Sequence, residues 1–267
     1  MASEMLSGLD ASYGSLTDAR AKKLRDIYGV KVFCQCLWSG SDQPPPRVTN
    51  LRTALNNGFI IAGYISVTAS HDGNWHVAQG RAGVPDDIWD ALALVFIDVE
   101  LDGIPNATVR QAVDATANLR KRRAIYTSYN AWVTKQGNPQ DFTDCLLWYA
   151  LWNEEPEIEW DWPGFRYRFG GWTPDKIAGK QSMGGHNLEG IDVDTDTFVR
   201  DLLIPKEENM PTLEELEAAI KKERTDRETG AAWLAAALAY HKADRGPHID
   251  SARMRELDEL YETLKAR

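Results

Sequence analysis

Two carboxylates one residue apart close the apolar run Leu94-Val95-Phe96-Ile97-Asp98-Val99-Glu100. A run rich in β-branched and aromatic residues, without polar alternation, predicts a strand buried on both faces, as in a parallel sheet. Residues i and i+2 of a strand point to one side, so Asp98 and Glu100 share a face with Cβ atoms about 6–7 Å apart. Acids paired in this way push each other's pKa apart, leaving one protonated near neutral pH and one ionised. Cleavage of a glycosidic bond needs that division: a proton for the leaving oxygen and a negative charge beside the developing cation. Taken alone, the pattern also fits an ordinary strand exit into the turn Asp102-Gly103-Ile104-Pro105.

The surrounding elements strengthen the first reading. Strands are expected at residues 6–10, 30–38, 59–67, 94–100, 124–127 and 144–150. Helices are expected at 16–28, with Thr17 as N-cap and Gly29 as stop, at 50–57, within 77–91, and at 106–121. This βαβα order predicts an α/β fold with a parallel sheet or TIM-like barrel, in which functional groups gather at the C-terminal strand ends. Asp10, Asp98, Glu100, Tyr64 and Trp148 all fall near such ends. Half of the ten tryptophans (Trp148, Trp152, Trp160, Trp162 and Trp172) crowd into residues 148–172. Aromatic faces either fill cores or stack on sugar rings. The acidic surroundings of Trp152, Trp160 and Trp162 favour partial exposure for those three.

Composition narrows the class. The chain has 267 residues, 43 % of them hydrophobic, and a net charge of -10, which suits one barrel-sized domain with an appendage. The densest basic run, Arg120-Lys121-Arg122-Arg123, reads as a solvated helix end, so no nucleic-acid partner is expected. Three cysteines argue against a disulfide framework, and Cys34, Cys36 and Cys145 read as buried small hydrophobes without metal-ligand spacing. No metal or cofactor is expected. His71 and His76 read as surface or supporting residues of a cleft loop. No apolar run reaches the roughly 18 residues of a membrane span. The first residues lack the basic and apolar segments of a secretory signal, so synthesis and folding in a cytoplasm are expected.

Over residues 6–203 the chain resembles glycoside hydrolase family 25, the N-acetylmuramidase lysozymes. The motifs are Gly8-Leu9-Asp10-Ala11-Ser12, Asp98-Val99-Glu100, Tyr126-Thr127 through Trp132, Trp148-Tyr149-Ala150, Gln181 with Gly184-Gly185, and Asp194-Thr195-Asp196-Thr197-Phe198. The resemblance implies an irregular (β/α) TIM-like barrel that cleaves the β-1,4 bond between N-acetylmuramic acid and N-acetylglucosamine. It implies Glu100 as general acid and Asp98 as partner carboxylate, with Asp10 and Asp194 completing an acidic cluster. Tyr64, Tyr126, Trp148 and Gln181 become substrate-binding residues. Asp192 competes with Asp194, because Ile191-Asp192-Val193-Asp194 sets two acids in register; the position of Phe198 favours Asp194. The chain departs from the family in Ala62-Gly63-Tyr64-Ile65-Ser66, where many members carry Gly-Ala-Tyr-His-Phe, and in the acidic insertion Asn153–Pro163.

The barrel is expected to span residues 1–204. A Pro-bounded linker over 205–211 leads to a helical appendage over 212–267, opened by the capping box Thr212-Leu213-Glu214-Glu215. That appendage packs on the barrel, self-associates, or binds wall or a virion partner. The expected function is hydrolysis of peptidoglycan glycan strands by a phage-type lysin or virion-associated enzyme, released to the wall by lysis or carried on the virion. Two alternatives are a hydrolase for another amino-sugar polymer such as chitin, and a non-catalytic structural or wall-binding protein that reuses the barrel.

Overall fold

A computed structural model describes residues 3–204; the expected linker at 205–211 and appendage at 212–267 lie outside the described residues. Eight strands close into a barrel in chain order: β1 (Met5–Ala11), β2 (Val32–Trp38), β3 (Ile60–Ser66), β4 (Leu92–Asp98), β5 (Ala124–Ser128), β6 (Leu146–Ala150), β7 (Ile177–Leu188) and β8 (Ile191–Val199). Helices α1 (Asp18–Asp26), α2 (Arg47–Asn56), α3 (Gly73–Arg81), α4 (Asp86–Ala91) and α5 (Asn106–Asn118) occupy the early crossovers, and α6 (Arg200–Leu203) follows β8. None of the described helices is long and apolar enough to cross a membrane. The fold is an irregular TIM-like barrel, as expected from the βαβα pattern.

The sheet is not wholly parallel. Strands β1 to β7 run parallel to their neighbours, whereas β8 is antiparallel to both β7 and β1. The cause is local. Only Glu189 and Gly190 separate the paired residues Leu188 and Ile191, and both have positive φ, 53° and 79°. Two such residues make a hairpin turn whose twist matches that of the strands, and a parallel return would need a crossover of a dozen or more residues.

One helix expectation holds and one is corrected. Thr17 caps α1, its side chain accepting from the Arg20 amide. The stretch 77–91 contains parts of two helices rather than one. Asp72 starts the first by accepting from the Trp75 amide at 2.8 Å, and Gly83, at φ 72°, with Pro85 separates it from the second.

Strand alternation divides the apolar core. Leu9, Phe33, Ile65, Ile97 and Ile125 face outward and pack against helical residues such as Leu24, Leu51, Val109 and Val113. Leu6, Val32, Cys34, Ala62, Leu94, Phe96, Tyr126, Trp148 and Phe198 form the second cluster, inside the barrel. Phe198 fills the space between two glycines. A Cβ on Gly8 would lie 2.6 Å from its ring, and one on Gly179 also 2.6 Å from it, on the other edge. The glycine of the Gly8-Leu9-Asp10 motif therefore admits the ring that closes the barrel floor beneath Asp10. Gly8→Ala is expected to destabilise the protein by about 1–3 kcal/mol through overpacking, read as a lower urea midpoint. Adding Phe198→Leu should recover part of that loss; full stability of Gly8→Ala alone would contradict this packing argument.

Candidate active site

The four acids singled out from the sequence meet at one end of the barrel. Asp10 lies near the end of β1 and pairs in register with Asp194 of β8. Asp98 is the last residue of β4. Glu100 falls two residues beyond the strand, a correction to the expected boundary. Its backbone stays ordered by the neighbouring strand all the same: Val99 N donates to Tyr126 O at 2.9 Å, and Thr127 Oγ1 donates to Val99 O at 2.6 Å. Buried Val99 turns outward, so Asp98 and Glu100 keep the shared side that the alternation predicts.

Gln181, on β7, ties the cluster together. Its Nε2 donates to Asp10 Oδ2 at 2.8 Å and to Asp194 Oδ2 at 3.1 Å. Its Oε1 accepts from Tyr126 OH at 2.8 Å and from Trp152 Nε1 at 2.8 Å. Asp194 also accepts from the Gly185 amide at 2.6 Å. Asp192 instead lies exposed on the hairpin extension, paired with Asn187, so the register brings Asp194 and not Asp192 to Asp10.

Burial raises every member of the cluster, because an ionised carboxyl loses hydration that its neighbours replace only in part. Asp10 is pushed up to about 8 by burial and then by the charge of Asp194. Asp98 rises to about 6 through burial, opposed by a hydrogen bond from Ser66 Oγ; its other oxygen, Oδ1, is buried with no hydrogen-bond partner among the described residues. Glu100 rises to about 7 through burial and then the charge of Asp98, against the nearby Lys135 ammonium. Lys135 comes from a π-helical turn (Asn130–Lys135), where its Nζ donates to Glu100 O at 2.8 Å. Asp194 is raised by burial and by Asp192, against its bond from Gly185.

A fifth acid, Asp196, was not singled out from the sequence. It is buried beneath Asp10, and burial followed by the charges of Asp10 and Asp194 holds it well above the usual carboxylate range. Its Oδ1 accepts from Trp148 Nε1 at 3.1 Å, while Oδ2 has no partner to donate to it among the described residues. A hydrogen bond between the two carboxyls lowers Asp10 and raises Asp196, which suits an Asp196 that keeps its proton and shares it with Asp10. The signal lay in the alternation of Asp192, Asp194 and Asp196, three acids on one face of one strand.

The aromatic residues separate into two groups. Trp148 is 1 % exposed and packs inside the barrel against Tyr126, 4.3 Å between centroids, and Phe96, 5.1 Å. It supports the acids from below and offers no open face, which corrects its expected place as a sugar platform. Tyr126 is buried, whereas Tyr64 is half-buried with its hydroxyl 2.7 Å from Ser12 Oγ. Trp152 and Trp162 are exposed as expected, but Trp160 is buried: its Nε1 donates to Trp172 O at 3.2 Å and its ring packs on Tyr149 and Phe169. His76 is buried too, with Nδ1 accepting from Trp38 Nε1 at 3.1 Å. The three cysteines are buried free thiols, as expected.

Comparison with known proteins shows the same architecture. A muramidase from Acremonium alcalophilum superposes with a TM-score of 0.58 at 17 % identity, over 75 % of this chain and 100 % of that one. A lysozyme from Streptomyces coelicolor gives 0.58 at 17 % identity, over 74 % and 95 %. A family 25 glycosyl hydrolase from Bacillus anthracis gives 0.56 at 14 %, over 73 % and 89 %. The chain therefore has the barrel fold of the family 25 muramidases and lysozymes. Among curated proteins it is similar to counting factor 50 of Dictyostelium discoideum, 28 % identical over 174 residues, which are 61 % of this chain and 56 % of that protein. Counting factor 45-1 of the same organism is 33 % identical over 112 residues, 39 % of this chain and 36 % of that one. The chain thus spans about half, or less, of the curated relatives it matches. No family model matches it.

The raised carboxyls make stability fall with rising pH. The folded state holds protons on Asp10, Asp98 and Glu100 up to about 8, 6 and 7, where the unfolded chain has already lost them near 4. Their contribution is fully present below about pH 4 and is lost as pH rises through those folded values, at roughly 1 kcal/mol per pH unit for each group in transition. Urea unfolding at pH 5 and pH 8 should show lower stability at pH 8, with a smaller difference in Asp10→Asn. A stability that rises over this interval would contradict the burial argument.

Proposed function

We propose that this protein is a peptidoglycan hydrolase, an N-acetylmuramidase that cleaves the β-1,4 bond between N-acetylmuramic acid and N-acetylglucosamine. The observation that carries the reading is the pairing of Glu100 with Asp98 on a barrel of muramidase fold, one acid held near neutrality and the other below it. Glu100 is the general acid, whose proton passes to the glycosidic oxygen as the bond to the anomeric carbon breaks. The remaining carboxylate charge stabilises the oxocarbenium-like transition state. The carbonyl oxygen of the substrate's 2-acetamido group then closes on the anomeric carbon, with Asp98 accepting from its N–H. Water opens that ring as Glu100 takes a proton back, giving net retention. Asp10, Asp194 and Asp196 keep the cluster short of full ionisation, and Tyr64, Tyr126 and Gln181 shape the cleft floor. Delivery to the wall, by lysis or on a virion, belongs to this reading.

Reducing-end release from purified peptidoglycan, with mass spectrometry of the fragments, tests it. The wild type should release fragments with muramic acid at the reducing end, and Glu100→Gln should lose about 10²–10⁴-fold in rate. A folded wild type that releases nothing from several wall types would favour a non-catalytic wall-binding protein. Chitin oligosaccharides cleaved in preference to peptidoglycan would favour the other amino-sugar polymer.

The pH profile is a second test. Activity requires Glu100 protonated and its partner ionised. It should therefore be greatest between about 6 and about 7, falling on the acid side as Asp98 protonates and on the alkaline side as Glu100 ionises. Lys135 lowers Glu100, so Lys135→Met should move the alkaline limb to higher pH. An unmoved or lowered limb would show that another group is the acid.

A further inference from the structure

The insertion that follows β6 is stitched to β7 on both faces of that strand. Along the backbone, Leu151 N donates to Gln181 O at 2.9 Å and Glu154 N to Ser182 O at 3.1 Å. On the outer face, Lys180 is fully buried, and its Nζ donates to Glu155 O at 2.7 Å, Glu157 O at 3.0 Å and Glu159 Oε1 at 2.7 Å. An ammonium has three protons, and these are three acceptors. Glu159 is buried as well and also accepts from Asn153 Nδ2 at 2.8 Å and Tyr149 OH at 3.0 Å. Burial alone would raise its pKa, but the bonds from Lys180 and Asn153 outweigh it and hold the carboxyl ionised. A buried ion pair is a weak source of net stability, yet breaking it leaves an uncompensated charge, so it fixes one geometry.

On the inner face the same loop delivers Trp152. Its Nε1 donates to Gln181 Oε1 at 2.8 Å. One edge of the indole lies over Gly184, where an added Cβ would sit 3.0 Å from Trp152 Cζ2 and 3.3 Å from Asp194 Oδ1. The remainder of the side chain is open, and the residue is 69 % exposed. A large apolar face left in water, fixed at its polar edge beside the carboxyl cluster, suits the apolar face of a pyranose ring.

We propose that residues 151–159 form a glycan-binding wall of the cleft, with Trp152 as the sugar platform and Lys180 as the residue that positions it. The identity of the glycan, β-1,4-linked N-acetyl amino sugars, rests on the muramidase reading. Lys180 touches no substrate. It acts by holding the loop carbonyls, while its neighbour Gln181, pointing the other way from β7, holds the indole. The loop thus adds affinity on one side of the acids without contributing a reacting group.

Calorimetry with the full-length Glu100→Gln protein and the tetrasaccharide (N-acetylglucosamine–N-acetylmuramic acid)₂ measures the wall separately from cleavage. Trp152→Ala is expected to weaken binding about tenfold, and Trp152→Phe, which keeps a ring but loses the N–H, by less. In the otherwise wild-type enzyme, Lys180→Met with Glu159→Leu should raise KM and leave kcat within about twofold, since uniform binding is lost. Adding Trp152→Ala to that pair should cost little more, because the two changes act on one platform. Asn153→Ala, which removes one donor to Glu159, should give a milder shift in the same direction and serves if the double variant does not fold. Unchanged affinity in Trp152→Ala, or losses that simply add, would overturn the proposal. A wild type that cleaves while Trp152→Ala binds normally would fail the wall alone. A wild type that binds without cleaving would fail the catalytic reading alone, and Trp152→Ala would still decide the wall. A wild type that does neither would overturn both.

Discussion

The carboxamide of Gln181 can adopt only one orientation, and the site is built on that constraint. The indole N–H of Trp152 is a donor with no acceptor capacity, so the amide oxygen must face it and Tyr126. The amide nitrogen then faces Asp10 and Asp194. Two donors and two lone pairs are all used. The consequence is electrostatic. Two carboxyls from different strands are drawn to one neutral group, and burial raises both. Full ionisation of the cluster is therefore costly, and protons are retained on it at a pH where free carboxylic acids have none.

That arrangement depends on an irregularity in the barrel. The register between β6 and β7 shifts between Leu147 and Trp148, which pair with Ile177 and Gly179 and leave Ala178 extra. The shift turns Gly179 and Gln181 inward, the first to admit Phe198 and the second to reach the acids, and it turns Lys180 outward beneath the insertion. A strand in strict alternation from Ile177 would have sent Gln181 to the outside. The antiparallel return of β8 completes the cluster, since it brings Asp194 opposite Asp10 and Asp196 opposite Gly8.

Much of this was legible in the chain because it depends on period. The alternation through Asp98 and Glu100 predicted a shared side, and it persists past the last residue of β4 because Val99 remains hydrogen-bonded and buried. Thr17 as a cap and the order of strands and helices followed from equally local rules. The antiparallel hairpin lies beyond the strands that the βαβα pattern assigns, which end at residue 150, although Glu189-Gly190 between two apolar residues is a two-residue turn signal. Trp148 and Trp160 were misplaced because an indole at a strand end or in a polar loop has the same sequence whether it points in or out. Which of them is buried depends on partners far along the chain, Asp196 for one and Trp172 for the other.

The size of a pKa shift and the role of the group are separate matters here. Asp10 rises further than Glu100, to about 8 against about 7, and on that measure alone would be the proton donor. Its environment argues otherwise. Asp10 is buried, one of its oxygens is taken by Gln181, and its proton balance is shared with Asp196. A proton held there is enclosed by the protein's own contacts. Glu100 is only half-buried, and it stands on the chain just past the strand end. Geometry takes precedence over the shift, because a general acid must reach the oxygen it protonates. In the proposed reaction Asp10 and Asp196 therefore set the charge of the cluster, and the acid that works is the less perturbed one beside them.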